Sequence, residues 1–339
     1  VDALKYMMLP KEKFDEFFNR LKTKRKIFGP VKIVKSHSFL QVESPKEMDL
    51  SYTRTWIPPK KFFLKPSEEI FRIYEDREEV YEEVVESEEI VVFGVHSCDI
   101  HALKLLDKVY LDEYPDKYYR LRRENTLIIG WECVPDEYCF CKSLGTNYVY
   151  DGFDLFFHKL KGGFFVRVGS IRGNSLLEEN SELFIEASPK DIEEFKKLEA
   201  KKLNKFKLSL DTHGLLDMLE LAYDHAVWKE EADKCFGCGN CNLVCPTCRC
   251  YDVIDHLNLS LNGGVRIRRW DSCMLRKHGL VAGGLNFRPT RVERLRNRFN
   301  CKGSLREGML NCVGCGRCTV YCPASINYVE ILKKVRGEV

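Results

Sequence analysis

Two stretches near the C-terminal end obey one spacing rule: Cys235-x-x-Cys238-x-x-Cys241-x-x-x-Cys245-Pro246 and Cys312-x-x-Cys315-x-x-Cys318-x-x-x-Cys322-Pro323. Three thiolates so spaced wrap one face of an iron–sulfur cubane, and the proline turns the fourth cysteine toward a second cubane. The expectation is two 4Fe-4S clusters with exchanged fourth ligands. Cys235, Cys238, Cys241 and Cys322 hold one; Cys312, Cys315, Cys318 and Cys245 hold the other. Zinc would use pairs of Cys-x-x-Cys, without the third cysteine or the closing proline. Disulfides need an oxidising compartment, to which nothing at the N-terminus points. Cys241, Cys245 and Cys248 also fit the Cys-x3-Cys-x2-Cys of radical enzymes, but the tail of the first run explains them better.

At 339 residues the chain is too long for one ferredoxin module, and usual domain sizes predict two or three units. No apolar run reaches the roughly 18 residues of a membrane span, and Val1 to Lys11 lacks a basic-then-apolar signal pattern. The expected compartment is the cytoplasm, where sixteen cysteines point to metal rather than disulfides. Heavy use of Lys, Glu and Arg with a single glutamine, Gln41, points weakly to a thermophilic source. A net charge of +3 argues neither for nor against a nucleic-acid partner.

Residues 9–27 place Phe14, Phe17, Phe18 and Leu21 on one helical face. Short extended segments follow over 31–34, 39–42 and 62–65, interrupted by a turn at Pro58-Pro59. Ile90 to Val95 is a continuous apolar run and reads as a buried parallel strand, with a helix over about 99–106 and a second such strand over 126–131. Joined by a right-handed crossover, the two strands bring Cys98 and Cys133 to the same carboxyl edge, where open sheets bind ligands. Cys139 and Cys141 follow at once. Cys98, Cys133, Cys139 and Cys141 are therefore the expected ligands of a third 4Fe-4S cluster; structural zinc and unligated buried thiols are the competing readings. Residues 151–168 read as a hairpin turning near Gly162-Gly163. Ser188-Pro189 caps a helix whose Lys/Glu-rich body reads as a solvated connector, and a further helix is expected over about 215–228.

The 66 residues between the runs exceed what a bare ferredoxin needs. Within them, Arg266 to Lys302 carries eleven basic residues against Asp271 and Glu293. With only Trp270, Phe287 and Phe299 interleaved, a nucleic-acid surface is the weaker reading; arginines near anionic clusters, or facing an acidic partner, explain the stretch better. Cys248, Cys250, Cys273 and Cys301 fit no ligand spacing, and buried small hydrophobes are their expected role, with a fourth cluster as the alternative. No dinucleotide or P-loop glycine motif and no histidine cluster occurs. His96 and His101 flank Cys98 but read as ordinary core or surface histidines.

Several stretches together, Phe93-Gly-Val-His-Ser-Cys98-Asp-Ile, 111–119, Asp136-Glu-Tyr-Cys-Phe-Cys141, 151–157, Cys245-Pro-Thr-Cys-Arg-Cys250 and Arg269-Trp-Asp-Ser-Cys273, carry a resemblance over nearly the whole chain. They closely resemble the beta subunit of cytosolic sulfhydrogenases, the NADP-linked nickel–iron hydrogenases of hyperthermophilic archaea. A fainter likeness, through the Cys-Phe-Cys and Cys-Pro-Thr-Cys elements, is to the A subunit of anaerobic sulfite reductase. The resemblance implies a non-catalytic electron-transfer subunit of a soluble heterotetramer. It would relay electrons between an FAD/NADPH-binding subunit and the NiFe hydrogenase large and small subunits, without nucleic acid or membrane. The fainter likeness implies relay to a sirohaem or substrate site instead. The expected architecture is α+β: a mixed α/β domain over 1–210 with the third iron–sulfur site, then a mostly helical dicluster ferredoxin-like domain over 211–339 with a long insertion.

Overall fold

A computed structural model describes residues 6–75, 80–260 and 262–338 of the chain. Its strands are β1 (Tyr6–Pro10), β2 (Lys26–Ile33), β3 (Ser36–Gln41), β4 (Ser67–Tyr74), β5 (Tyr81–Glu83), β6 (Ile90–Val95), β7 (Thr126–Trp131), β8 (Leu155–Leu160), β9 (Gly163–Val168), β10 (Ile185–Glu186), β11 (Tyr251–Leu257) and β12 (Gly263–Trp270), with a short pair near 305–310. Among the described residues, eight form one sheet in the order β10-β1-β9-β8-β7-β6-β2-β3. Its middle is parallel, β2 to β6, β6 to β7 and β7 to β8; the flanks are antiparallel.

The apolar runs at β6 and β7 are what a strand buried on both faces requires, and alternation sorts their side chains. Val91, Phe93, Leu127, Ile129 and Trp131 face one core, closed by the aromatic stripe of helix Phe14–Lys24. Val92, Val95 and Ile128 face the other, closed by helix Ser97–Tyr110. The hairpin of β8 and β9 turns at Lys161-Gly162, with Leu160 paired to Gly163. Gly163 has φ +147, and a Cβ there would lie 2.4 Å from the Leu9 carbonyl oxygen, so glycine is required where β9 begins its pairing with β1.

Several expectations change. Helix Pro189–Leu203 has the anticipated capping box at Ser188 and Asp191, but it is no solvated connector. Phe195 stacks on Phe165 at 4.6 Å and lies edge-on to His158, and Lys202 is buried. Its apolar face was narrow enough to be masked by the surrounding charges. Residues 62–65 end a 3-10 turn begun at Pro59 instead of forming a strand, because prolines 58 and 59 withhold two ladder donors. The helix expected over 215–228 is two helices, Leu215–Leu221 and Val227–Lys234, with Trp228 Nε1 donating to the Ala222 carbonyl across the break at 2.6 Å.

The C-terminal part is also less uniformly helical than expected. Residues between the cysteine runs form the β11–β12 hairpin, and β12 pairs with β4 of the N-terminal half in a second sheet ordered β11-β12-β4-β5. A buried charge network fastens this joint. Glu68 of β4 takes Arg122 and Arg268, and Arg268 also binds Asp116. Removing one member would strand a buried charge at a cost of about 3–5 kcal/mol.

Candidate metal centres

The two cysteine runs fold into near-copies of one loop. Each first cysteine accepts a bond from the backbone N–H two residues on, Gly237 to Cys235 at 3.3 Å and Gly314 to Cys312 at 3.5 Å. Left-handed glycines follow on either side of the second cysteine, Gly237 and Gly239 in one loop, Gly314 and Gly316 in the other. A single helical turn then carries the third cysteine, in Asn240–Leu243 and Arg317–Val320.

Cys235, Cys238 and Cys241 of the first loop line one pocket with Cys322 from the end of the second. Met274, Leu295, Phe299 and Tyr328 supply its apolar wall. Cys312, Cys315 and Cys318 are grouped with Cys245 from the end of the first run. Burial pushes all three thiols up, and Cys245 raises each of them further. A third set lies at the carboxyl edge of β6 and β7. Cys98 sits in the first turn of helix Ser97–Tyr110 and Cys133 two residues beyond β7. Burial raises the Cys98, Cys139 and Cys141 thiols, and nearby negative charge, Asp99 for Cys98, Asp136 for Cys139 and Cys133 for Cys141, raises them further.

The sets stand side by side. The Gly314 carbonyl accepts from Phe140 N–H at 2.9 Å, and a Cβ on Gly316 would lie 2.5 Å from the Tyr138 carbonyl oxygen. Glycine there lets the second loop close over the Cys139–Cys141 segment. Arg54 spans the seam. It donates to the Cys315 carbonyl at 3.2 Å, to Cys139 Sγ at 3.2 Å, and to Asp136 through both terminal nitrogens. Arg317, in the second loop, makes a fully buried two-pronged pair with Asp99 beside Cys98, at 2.7 and 2.8 Å.

The electrostatics favour anionic sulfur. Lys60, Arg298 and Lys302 are buried, and among the described residues none forms an ion pair with a carboxylate. Lys60 Nζ binds the Cys248 carbonyl at 3.0 Å, Arg298 reaches Cys248 Sγ at 3.5 Å and the Cys241 carbonyl at 2.8 Å, and Lys302 binds Thr247 Oγ1 at 2.8 Å. The Cys248 hydrogen bond, with Lys302, Arg298 and Lys60, holds the Cys245 thiol well below its ordinary range despite burial. Buried unpaired cations are costly, so this cradle fits four-thiolate centres bearing net negative charge. Zinc, with its bonds of about 2.3 Å, would hold four sulfurs about 3.8 Å apart; among the described residues no three cysteine sulfurs come within 4.8 Å of one another.

Of the basic stretch 266–302, Arg291, Arg298 and Lys302 brace the first cysteine loop and the residues just after it, while Arg266, Arg268 and Arg269 pair with carboxylates. Arg291 binds the Cys235 carbonyl at 2.8 Å, and Arg294 braces the Arg288 and Pro289 carbonyls. His96 stacks on Tyr52 at 4.0 Å and donates from Nδ1 to the Thr53 carbonyl; His101 binds the Tyr148 carbonyl. Both are packing histidines. Glu132, His158 and Glu199 bring potential ligand atoms within 4.8 Å of one another. Arg167 Nε donates to His158 Nε2 at 3.1 Å, however, so the ring proton sits on Nδ1, facing the carboxylates, and Lys202 lies 3.5 Å from Glu199. The group is a compensated charge network. Arg54, Lys60, Asp99 and Arg317 went unrecognised in the sequence, because nothing in their local pattern marks a residue whose partner lies scores or hundreds of positions away.

Residues 234–326 match the family described as a 4Fe-4S dicluster domain. Over 334 residues, covering 98% of this chain and 99% of the relative, the sequence is 51% identical to sulfhydrogenase 2 subunit beta of Pyrococcus furiosus. No solved structure matches.

Proposed function

The chain belongs to the family of sulfhydrogenase beta subunits, and from that premise we propose how its three thiol sets work as one relay. It is an iron–sulfur electron-transfer subunit of a hydrogenase or sulfur reductase. In the proposed assignment Cys235, Cys238, Cys241 and Cys322 hold one 4Fe-4S cluster, Cys312, Cys315, Cys318 and Cys245 a second, and Cys98, Cys133, Cys139 and Cys141 a third. Each cubane, when bound, supplies one-electron chemistry at a potential set by its surroundings.

The observation that carries the reading is the order of the sets. The first and second are interleaved through Cys245 and Cys322, and the second abuts the third through Gly314, Gly316, Arg54 and Arg317. The protein's own part is to keep these groups close, to exclude water with Phe140, Tyr328 and Phe299, whose rings stack in sequence, and to balance sulfur charge with buried cations. At one end Cys238 is exposed, giving electrons an exit. The proposed partners are an FAD/NADPH-binding subunit and the nickel–iron subunits of a cytoplasmic heterotetramer, and the chain divides functionally near residue 210. Among the described residues no helix is long and apolar enough to cross a membrane.

The testing experiment is Cys322→Ser in the anaerobically purified complex, read by electron paramagnetic resonance and iron analysis. The signal of the cluster held by Cys235, Cys238 and Cys241 should be altered first. Loss confined to the centre held by Cys312, Cys315 and Cys318 would contradict ligand exchange, and about eight instead of about twelve irons per wild-type chain would remove the third cluster.

A further inference from the structure

Cys238 lies where the first cysteine loop meets solvent, and the segment that follows β12 is packed beside it. The left-handed glycines flanking Cys238 make that contact. A Cβ on Gly237 would lie 3.6 Å from the Met274 carbonyl oxygen, and one on Gly239 would lie 2.9 Å from Ser272 Cβ and 3.6 Å from Leu275 Cδ2. Arg291 ties the far end of the segment back to the Cys235 carbonyl at 2.8 Å. Residues 272–291 therefore wall the opening at Cys238.

This wall is ordered by its own hydrogen bonds. Val281 N–H donates to the Leu285 carbonyl at 2.9 Å, Phe287 N–H to the Gly279 carbonyl at 3.1 Å, and Asn286 Nδ2 to the Arg276 carbonyl at 2.7 Å. Gly283 and Gly284, at φ +84 and +83, make its tip. The fold gains little from its side chains, because Leu275, Leu280, Val281, Leu285 and Phe287 are all exposed, Phe287 by 65%, as is Phe236 in the cysteine loop by 69%. Single exposed leucines are ordinary, whereas several apolar side chains on one self-ordered hairpin beside a redox ligand mark an interaction surface.

The charge of the surface restricts what can cover it. No carboxylate occurs between Ser272 and Val292, a stretch that holds Arg276, Lys277, Arg288 and Arg291. Arg276 and Lys277 are exposed, and among the described residues none of the four cations forms an ion pair. An occupant must then be apolar at its centre and acidic at its rim. A second copy of this chain does not meet that description, since a two-fold contact sets the face against itself and opposes cation to cation.

We propose that Phe236 and the hairpin over 275–288 form the dock for an electron-exchanging subunit whose own face is an apolar patch ringed by carboxylates. This rests on the relay reading for why a redox partner sits at Cys238. Docking there covers the exposed cysteine and excludes water between it and the partner's electron carrier. The cations steer the acidic face into register, and the apolar side chains hold it once it has arrived.

The test treats the whole anaerobic complex with a zero-length carbodiimide, which joins lysine amines to carboxylates in contact, and maps the products by mass spectrometry. Lys277, the one lysine of residues 272–291, should be found joined to an Asp or Glu of another subunit. Arg276→Glu with Lys277→Glu should leave iron per chain unchanged and slow reassembly with that subunit about tenfold in low salt, the difference shrinking at about 0.5 M. Phe287→Ser should weaken the association at least about fivefold at either salt. Lys277 joined only to its own chain or to a second copy, flotation of the complex with phosphatidylserine vesicles, or unaltered reassembly in both variants would overturn the proposal. If a variant loses iron, the wild-type coupling map decides alone. A partner joined at Lys277 that never exchanges electrons with the first cluster would sink the relay reading and uphold the dock.

Discussion

Arg54 offers the sharpest test of how the protein sets the potential of the proposed third cluster. Its guanidinium is buried and donates to Cys139 Sγ at 3.2 Å. Added negative charge on a centre ligated by that sulfur is stabilised by the cation, so Arg54 raises the potential. For a charge separation of about 6 Å at an effective dielectric constant of about 20, Coulomb's law gives about 2.8 kcal/mol. At about 59 mV per tenfold for one electron, that is of the order of 100 mV. Arg54→Met removes the positive charge and leaves Asp136 behind, so both effects lower the potential. A redox titration of the anaerobic complex followed by paramagnetic resonance should show one signal moving down by about that amount while the others shift far less. A shift below about 20 mV, or one falling on another cluster, would refute the placement of Arg54 as the dominant charge on this centre.

Three further outcomes follow from local geometry. Asp99→Ala would leave the Arg317 guanidinium buried and unpaired, costing about 3–5 kcal/mol, visible as a lowered midpoint in chemical denaturation of the anaerobic chain; a change under about 1 kcal/mol would mean that water reaches the pair. Gly316→Ala puts a Cβ against the Tyr138 carbonyl at φ +72, at a strain of at least about 1–2 kcal/mol, and should deplete iron at the Cys98-containing site before the first cluster. Ser51's hydroxyl, then His37, lowers the Asp49 carboxyl to about 2. Because that value is below the ordinary 3.8, its stabilisation is fully present above about pH 4 and lost as pH falls toward 2. Asp49→Asn should flatten that part of the acid unfolding curve, by about 1 kcal/mol after allowing for partial exposure.

What the sequence made legible is what repeats locally. The cysteine runs obey one spacing rule, β6 and β7 are continuous apolar stretches, and Ser188-Pro189-x-Asp191 is a capping signal, so each could be read within about ten residues. The grouping of Cys98 and Cys133 was accessible because parallel strands and a right-handed crossover are nearly obligatory in such a sheet. The pairing of β12 with β4, by contrast, joins residues about two hundred positions apart, and its sequence signal is a set of arginines indistinguishable from a solvated charge run. The same holds for Arg317 and Asp99: each looks like a surface residue until its partner is known.

These long-range joints bear on why the chain is built as it is. Three of the four cysteines in the third set come from the loops after β7, yet the surface that closes over them is the second cysteine loop, some 170 residues later. A ferredoxin-like unit alone would expose Cys315 and lack Arg54, and an isolated N-terminal sheet would leave its carboxyl-edge thiols open to water. Folding both into one body through β4, β12 and the buried Glu68 network shields the junction between the second and third sets, across which charge passes in the proposed relay. Cutting the chain near residue 210 and recombining the pieces should therefore restore the interleaved pair of sets more readily than the third. Iron analysis of the separate pieces, followed by mixing, would show whether the third site is made only when both halves are present.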